Sequence, residues 1–345
     1  MSLHSEILEQ PDSLERLLQS QRTTAERIAD VVRTRNISYV FLTARGTSDN
    51  AGRYANYLLG SMNSLPLALA TPSLFTYYLH PPRLRDALVI GISQSGQSPD
   101  IVSVVEEGKR QGCMTLALTN VPGSPLAAAA DFVLDIQAGT ERAVAATKTY
   151  TAELMAIAML SAALNPDGVT WDALAQVPRW VRRAIQHDQA MAEAAQRYKY
   201  ANRCVVLGRG YNYATAFEWA LKLKELTYME AEPYSPADFQ HGPIAIVERG
   251  FPVMAMVAAG PVAASLASLL KQLKDELHAE LLVISNDPEA LALSYPGFAL
   301  PAEIPEALTP LVGIVPAQLM AYHLTQVKGY DPETPRTIHK VTETR

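Results

Sequence analysis

Two short loops and four titratable side chains carry the chemistry that this sequence offers. The segment Ser93-Gln94-Ser95-Gly96-Gln97-Ser98 concentrates three hydroxyls, two amide side chains and a glycine in six residues. Glycine lets the backbone come close to a ligand, and hydroxyls and free N–H groups together suit an anion such as a phosphate. A weaker loop of the same kind is Gly46-Thr47-Ser48. An isolated serine before a helix more often caps it, but the density of donors after Ile92 points to binding. Lys222 and Glu225, in ALKLKELTY, lie three apart and share a helix face, while Lys224 points elsewhere. His241 stands in ADFQHGPIAI, where Gly242 and Pro243 fix a turn. Lys340 falls in the terminal PRTIHKVTETR. Taken singly, the last four also read as a surface ion pair, an exposed loop histidine and a solvated tail charge.

The elements that must position these groups are short apolar strands alternating with helices. Ala87 to Ile92, Met114 to Leu118, Cys204 to Leu207 and Pro252 to Val257 are continuous apolar runs, as in parallel strands covered on both faces. Both loops sit between a strand and a helix, at the strand's carboxyl end, where open parallel sheets gather ligands. Landmarks of the first half recur in the second at a displacement of about 165 residues, the signature of a duplication. Arg45-Gly46 falls on Arg209-Gly210, Asn120 on Asn286, and Leu154-Met155-Ala156 on Leu319-Met320-Ala321. The fold class is therefore α/β, two duplicated doubly wound parallel-sheet domains flanked by helices. Trp171 to Arg197 reads as a mostly helical connector broken at Pro178. The boundary falls near residue 185, giving domains 1–185 and 186–345, the second including the C-terminal tail. Where the first half has Gln94 to Gln97, the second has Ala258-Ala259-Gly260-Pro261. The fold alone does not demand the polar loop, so the anion site belongs to the first half.

Composition narrows the classes. The 345 residues are 48% hydrophobic and 19% charged with a formal net charge of -6, so two cores can form and no basic footprint for nucleic acid exists. The acidic N-terminus does not read as a signal peptide. The uncharged stretch Phe251 to Leu270 is interrupted by Gly260-Pro261, so no membrane span is expected. Cys113 and Cys204 lie in apolar runs as small buried hydrophobes, which fits a reducing cytoplasm. HExxH, CxxC, calcium-loop, GxSxG and GxGxxG patterns are missing, so neither a metal nor a cofactor is expected.

Together the motifs resemble the sugar isomerase (SIS) domain family, specifically the isomerase portion of glucosamine-6-phosphate synthase and its stand-alone relatives. The resemblance runs through EILEQP, GTS, SQSG, TNVPGSPL, AGTERAVAATKTYTAEL, LGRG, ALKLKE, QHGP and PRTIHKVTE, in order and in spacing. It implies that Ser93, Gln94, Ser95 and Ser98 bind a sugar phosphate, with Thr47 and Ser48 near the phosphate or hydroxyls. It implies that Glu225 moves a proton between C1 and C2 beside Lys222, and that Lys340 contacts the open-chain sugar. His241 would open the ring, contributed by the neighbouring subunit of a homodimer. Arg45 and Ala146 stand where the synthases tend to have a cysteine and a serine, and Ala146 takes its place on the substrate-binding side. ARGTSDNA, SQSGQSPD and VAATK resemble the second type of glucosamine-6-phosphate deaminase, and the glutaminase domain of the synthase is not part of the sequence. The expected reaction is glucosamine 6-phosphate plus water to fructose 6-phosphate plus ammonia. Alternatives are galactosamine 6-phosphate or a fructosamine 6-phosphate as substrate, a glutamine-fructose-6-phosphate aminotransferase lacking its glutaminase domain, and a non-catalytic sugar-phosphate sensor. The joint presence of Glu225, His241 and Lys340 disfavours the sensor.

Overall fold

The computed structural model describes residues 2–340. The last five residues of the C-terminal tail, 341–345, lie outside the described residues. Two units emerge, each built on one five-stranded parallel sheet. One comprises residues 9–141, 146–176 and 339–340; the other comprises residues 2–8, 142–145 and 177–338.

In the first unit the strands are β1 (Tyr39–Thr43), β2 (Leu67–Leu69), β3 (Ala87–Ile92), β4 (Met114–Thr119) and β5 (Phe132–Asp135). They lie in the order β2-β1-β3-β4-β5, all parallel, with Phe41 beside Val89 and Ile90 beside Leu116. Every residue of β3 and β4 is buried, which explains why these runs are continuously apolar rather than alternating. Helices Gln10–Thr34 and Lys148–Leu164 pack on one another, and helix Pro99–Arg110 sets Ile101, Val104 and Val105 against Val89 and Ala117.

The second unit repeats the plan. Its strands are β6 (Arg203–Gly208), β7 (Glu230–Tyr234), β8 (Pro252–Val257), β9 (Glu280–Ser285) and β10 (Phe298–Ala299). Their order, β10-β9-β8-β6-β7, is that of the first sheet read from the other edge. The duplication extends to backbone detail. Arg45 and Arg209 are both extended residues before a glycine, at φ -137° and -132°, and Gly46 and Gly210 take φ +54° and +62°. The Asn120 side chain donates to the Gly139 carbonyl, and Asn286 donates to the Ile304 carbonyl in the same way.

The connector differs from expectation. Helix Trp171–Ile185 runs straight through Pro178, and the break comes later, before helix Asp188–Ala195. Proline removes one N–H and crowds one carbonyl, a local penalty that a strongly amphipathic helix with Leu174, Val177, Trp180 and Val181 buried can absorb. Helix Thr309–Val327 is long and apolar enough to cross a membrane, but every residue from Thr309 to Ala321 is buried in its own unit, as in a core helix. Cys113 and Cys204 are free and buried, and burial pushes the Cys204 thiol up to about 12.

Candidate functional site

In the first sheet the chain leaves β1 for β2 on one side and later returns to β3 on the other. The carboxyl ends of β1 and β3 therefore flank the point where strand order reverses, the usual crevice for a ligand. Both candidate loops lie there. After β3, the Ser93 N–H bonds to the Leu118 carbonyl, and the Ser93 hydroxyl accepts the Gly96 N–H at 3.1 Å. Gly96 takes φ +62°, and a Cβ there would lie 2.0 Å from Ser124 Oγ, so the turn requires glycine. Ser95 Oγ accepts the Gln97 N–H at 3.3 Å. Ser98 sits at the N-cap of helix Pro99–Arg110, yet its side chain makes no capping hydrogen bond. Capping therefore does not account for this serine, and a helix N-terminus beside three hydroxyls is suited to an anion.

The loop after β1 is tied to this one. Arg45 Nε donates to Asp100 Oδ2 at 2.8 Å, and the Asp100 carboxylate is fully buried at the start of helix Pro99–Arg110. Half of the Arg45 side chain remains exposed, so the loops share a cation at their junction. Thr47 is half-buried; Ser48 is buried and donates to Glu153 Oε1 at 2.8 Å. Gln94 and Glu141 line one pocket of about 420 Å³ together with Asn120, Asp135, Gln137 and Gly139.

Lys340 belongs to this first unit by its contacts. Its ammonium lies 2.6 Å from Glu141 Oε2, a carboxylate with no solvent exposure. Glu141 also accepts the N–H groups of Thr147 and Thr149 and the Thr149 hydroxyl, so it holds the start of helix Lys148–Leu164. Burial drives its carboxyl upward, but the Lys340 ammonium and the threonine donors outweigh burial and hold it below the ordinary range. The expected solvated tail charge is thus a paired one. Ala146 is partly exposed, directly before Thr147.

In the second unit, Lys222 and Glu225 share a face of helix Tyr213–Thr227, as their spacing predicted, while Lys224 is exposed. A surface ion pair does not describe them. Lys222 is 1% exposed, with Glu225 Oε2 at 2.5 Å and the fully buried Glu218 at 3.3 Å. Burial alone would push the ammonium down; the two carboxylates reverse this and raise it above its ordinary value. His241 stands apart from this cluster, exposed in the turn that closes helix Pro236–Gln240, with Gly242 at φ +140°.

In the repeated crevice of this unit a carboxylate, Glu306, stands beside both glycine turns. A Cβ at Gly260 would lie 2.4 Å from Glu306 Oε2, and one at Gly210 would lie 3.5 Å from Glu306 Oε1. A carboxylate faces both loops where a phosphate would have to enter, and burial raises its pKa.

Sequence reading missed Asp100, Glu141, Glu153 and Glu218. Glu218 was accessible, four residues before Lys222 and so on the same helix face. Asp100 and Glu153 hold their partners over separations of 55 and 105 residues, and Glu141 reaches Lys340 over 199, for which no local pattern exists.

The chain matches the SIS domain family model twice, over residues 35–163 and 198–328, one match for each sheet. It is 33% identical over 344 residues to a glutamine–fructose-6-phosphate aminotransferase (isomerizing) from Thermococcus kodakarensis, covering 97% of this chain and 56% of that protein. The chain thus spans about half the length of the curated relatives it matches. A solved structure from Silicibacter pomeroyi DSS-3, provisionally named a phosphosugar isomerase, is 34% identical with a TM-score of 0.86, covering 96% of this chain and 99% of that one. The C-terminal domain of a glucosamine-fructose-6-phosphate aminotransferase from Francisella tularensis is 26% identical with a TM-score of 0.87, covering 96% and 98%. With both sheets matched, the loops in place and the strand order repeated, this chain belongs to the SIS domain family.

Proposed function

We propose that the protein is an isomerising deaminase of an amino-sugar phosphate, with glucosamine 6-phosphate as substrate. The observation that carries the reading is Lys222, buried between Glu218 and Glu225. A structural ion pair needs no ammonium withdrawn from water, whereas a base that must stay ionised while partly shielded does. The Ser93–Ser98 loop and the start of helix Pro99–Arg110 hold the phosphate, and that binding energy anchors the substrate. His241, from the neighbouring subunit of a homodimer, assists ring opening. Glu225 removes the proton from C2 of the open-chain aldehyde and returns it to C1, while a proton passes from the amine nitrogen to the C1 oxygen, leaving a ketose-type imine at C2. Water adds to that carbon, ammonia leaves, and fructose 6-phosphate remains. Lys340 contacts the open-chain sugar once freed from Glu141.

The amine as leaving group is supported by the resemblance of ARGTSDNA, SQSGQSPD and VAATK to stand-alone deaminases. Two free, buried thiols fit a reducing compartment, and we place the protein in the cytoplasm. Purified protein given glucosamine 6-phosphate should release ammonia and form fructose 6-phosphate; no release at high enzyme concentration overturns the reading. Galactosamine 6-phosphate and a fructosamine 6-phosphate in the same assay identify the preferred substrate. The names of the relatives favour one second reading, amination of fructose 6-phosphate. Net formation of glucosamine 6-phosphate from fructose 6-phosphate with glutamine, but not with ammonia, would support it. A sensor would keep its ligand affinity and its biological effect in Glu225→Gln.

A further inference from the structure

A cluster outside the proposed chemistry brings together three residues remote in sequence: His4, Asp188 and His323. His4 lies on helix Leu3–Leu8, Asp188 opens helix Asp188–Ala195, and His323 lies on helix Thr309–Val327, all within the second unit. His4 Nε2 is 2.8 Å from Asp188 Oδ2, and His323 Nε2 is 2.6 Å from Asp188 Oδ1. One ligand atom from each residue lies within 4.8 Å of the others. The rings are held in place, with His4 stacked on Tyr322 at 4.9 Å and 24° and set edge-on to His323. Side-chain exposures of 28%, 32% and 14% leave a path from solvent.

The charge of this corner is negative. Glu333 accepts the Leu3 N–H, next to His4, with both of its oxygens at 2.9 and 3.0 Å. With Asp188, this places two carboxylates in the corner, a setting that favours a cation.

We infer that His4, Asp188 and His323 form a site for a divalent cation of the zinc, cobalt or nickel type, with at least one coordination position left to water. Two imidazoles and one carboxylate are borderline ligands that suit these ions better than calcium or magnesium, which prefer all-oxygen sets. Metal–ligand bonds of about 2.0–2.2 Å place tetrahedral ligand atoms roughly 3.3–3.5 Å apart. The two His–Asp pairs need to open by less than about 1 Å from their hydrogen-bonded spacing. Each imidazole then carries its proton on Nδ1 and offers Nε2 to the ion.

The ion would fasten helix Leu3–Leu8 to the other two helices. Glu6 on that helix is fully buried and accepts the N–H groups of Arg142 at 2.6 Å and Ala143 at 3.2 Å. Metal binding therefore stabilises the segment that grips the chain just before Ala146.

The test uses the full chain without a polyhistidine tag, stripped with chelator and titrated with Co²⁺ by visible absorption, then with Zn²⁺ in competition. Wild type should bind one equivalent per chain, and Zn²⁺ should raise its Tm. His4→Ala and Asp188→Asn should each weaken binding at least about tenfold and lose the Zn²⁺-dependent rise in Tm. Asp188→Asn keeps a planar side chain able to bond both rings, so it separates metal ligation from a hydrogen-bonded bridge and decides the matter if His4→Ala does not fold. No binding by wild type, or equal binding by wild type and Asp188→Asn, overturns the site.

Discussion

Lys222 is held as a buried ammonium between two carboxylates, and its removal leaves Glu218 and Glu225 as like charges without that cation. Breaking a buried ion cluster on one side costs about 3–5 kcal/mol. Lys222→Met should therefore lower the urea midpoint substantially, together with activity. A folded-state lysine pKa above the unfolded value of about 10.4 contributes stability that is complete below that pH and is lost as pH rises through the folded value. The lysine's own contribution thus stays whole across neutral pH and fades only in strong alkali. Glu141 behaves oppositely. Its carboxyl lies below the ordinary range, so its contribution is present above the unfolded value of about 4.3 and is lost as pH falls through the folded one. Denaturant melts of wild type and Glu141→Gln should differ at pH 7 and converge on acidification below pH about 4. A gap that widens in acid would contradict the ion pair with Lys340.

At the scale of elements, the loop after β3 is specified by a glycine that cannot be replaced. At Gly96 the positive φ and the 2.0 Å approach of an added Cβ to Ser124 Oγ act together. Gly96→Ala should cost about 1–3 kcal/mol and raise KM for the sugar phosphate more than it lowers kcat, because the loop binds rather than reacts. Gly60, late in helix Gly46–Asn63, has nothing within 4 Å of the same position, and Gly60→Ala should stabilise by about 0.5–1 kcal/mol with KM unchanged. Thermal melts and steady-state kinetics on both variants check the contrast. The same elements show what a sequence can reveal. The β3 loop, the apolar strands β3, β4, β6 and β8 and the displacement of about 165 residues were legible, because apolar runs and glycine turns are local signals. Pro178 misled, because a proline reports only its own lost bond and not the apolar stripe that keeps its helix on the core. Glu153 and Asp100, and the pairing of Glu141 with Lys340, were invisible, because each depends on a partner brought close only by the fold.

At the scale of the whole molecule, the proposed homodimer makes a prediction that no single chain can satisfy. His241 is exposed, set in a turn after a short helix, and outside the Lys222 cluster of its own unit. If it serves the neighbouring subunit, Glu225→Gln and His241→Ala damage different sites when the two chains pair. Each variant alone should be nearly inactive, since removing a positioned acid or base lowers rates by roughly 10²–10⁴. Co-expression of the two with random pairing makes about half of the dimers mixed, and each mixed dimer contains one site with both groups intact. Activity should return to roughly a quarter of wild type, and isolating the mixed dimer with two different tags should raise it to about half. If His241 acts within its own chain, every site carries one defect and nothing is recovered. A mixture no more active than its parents, in a preparation that sedimentation shows to be dimeric, rules out exchange of His241 between subunits. Such a result would leave Glu225 and the phosphate loop in their roles while returning ring opening to residues of one chain.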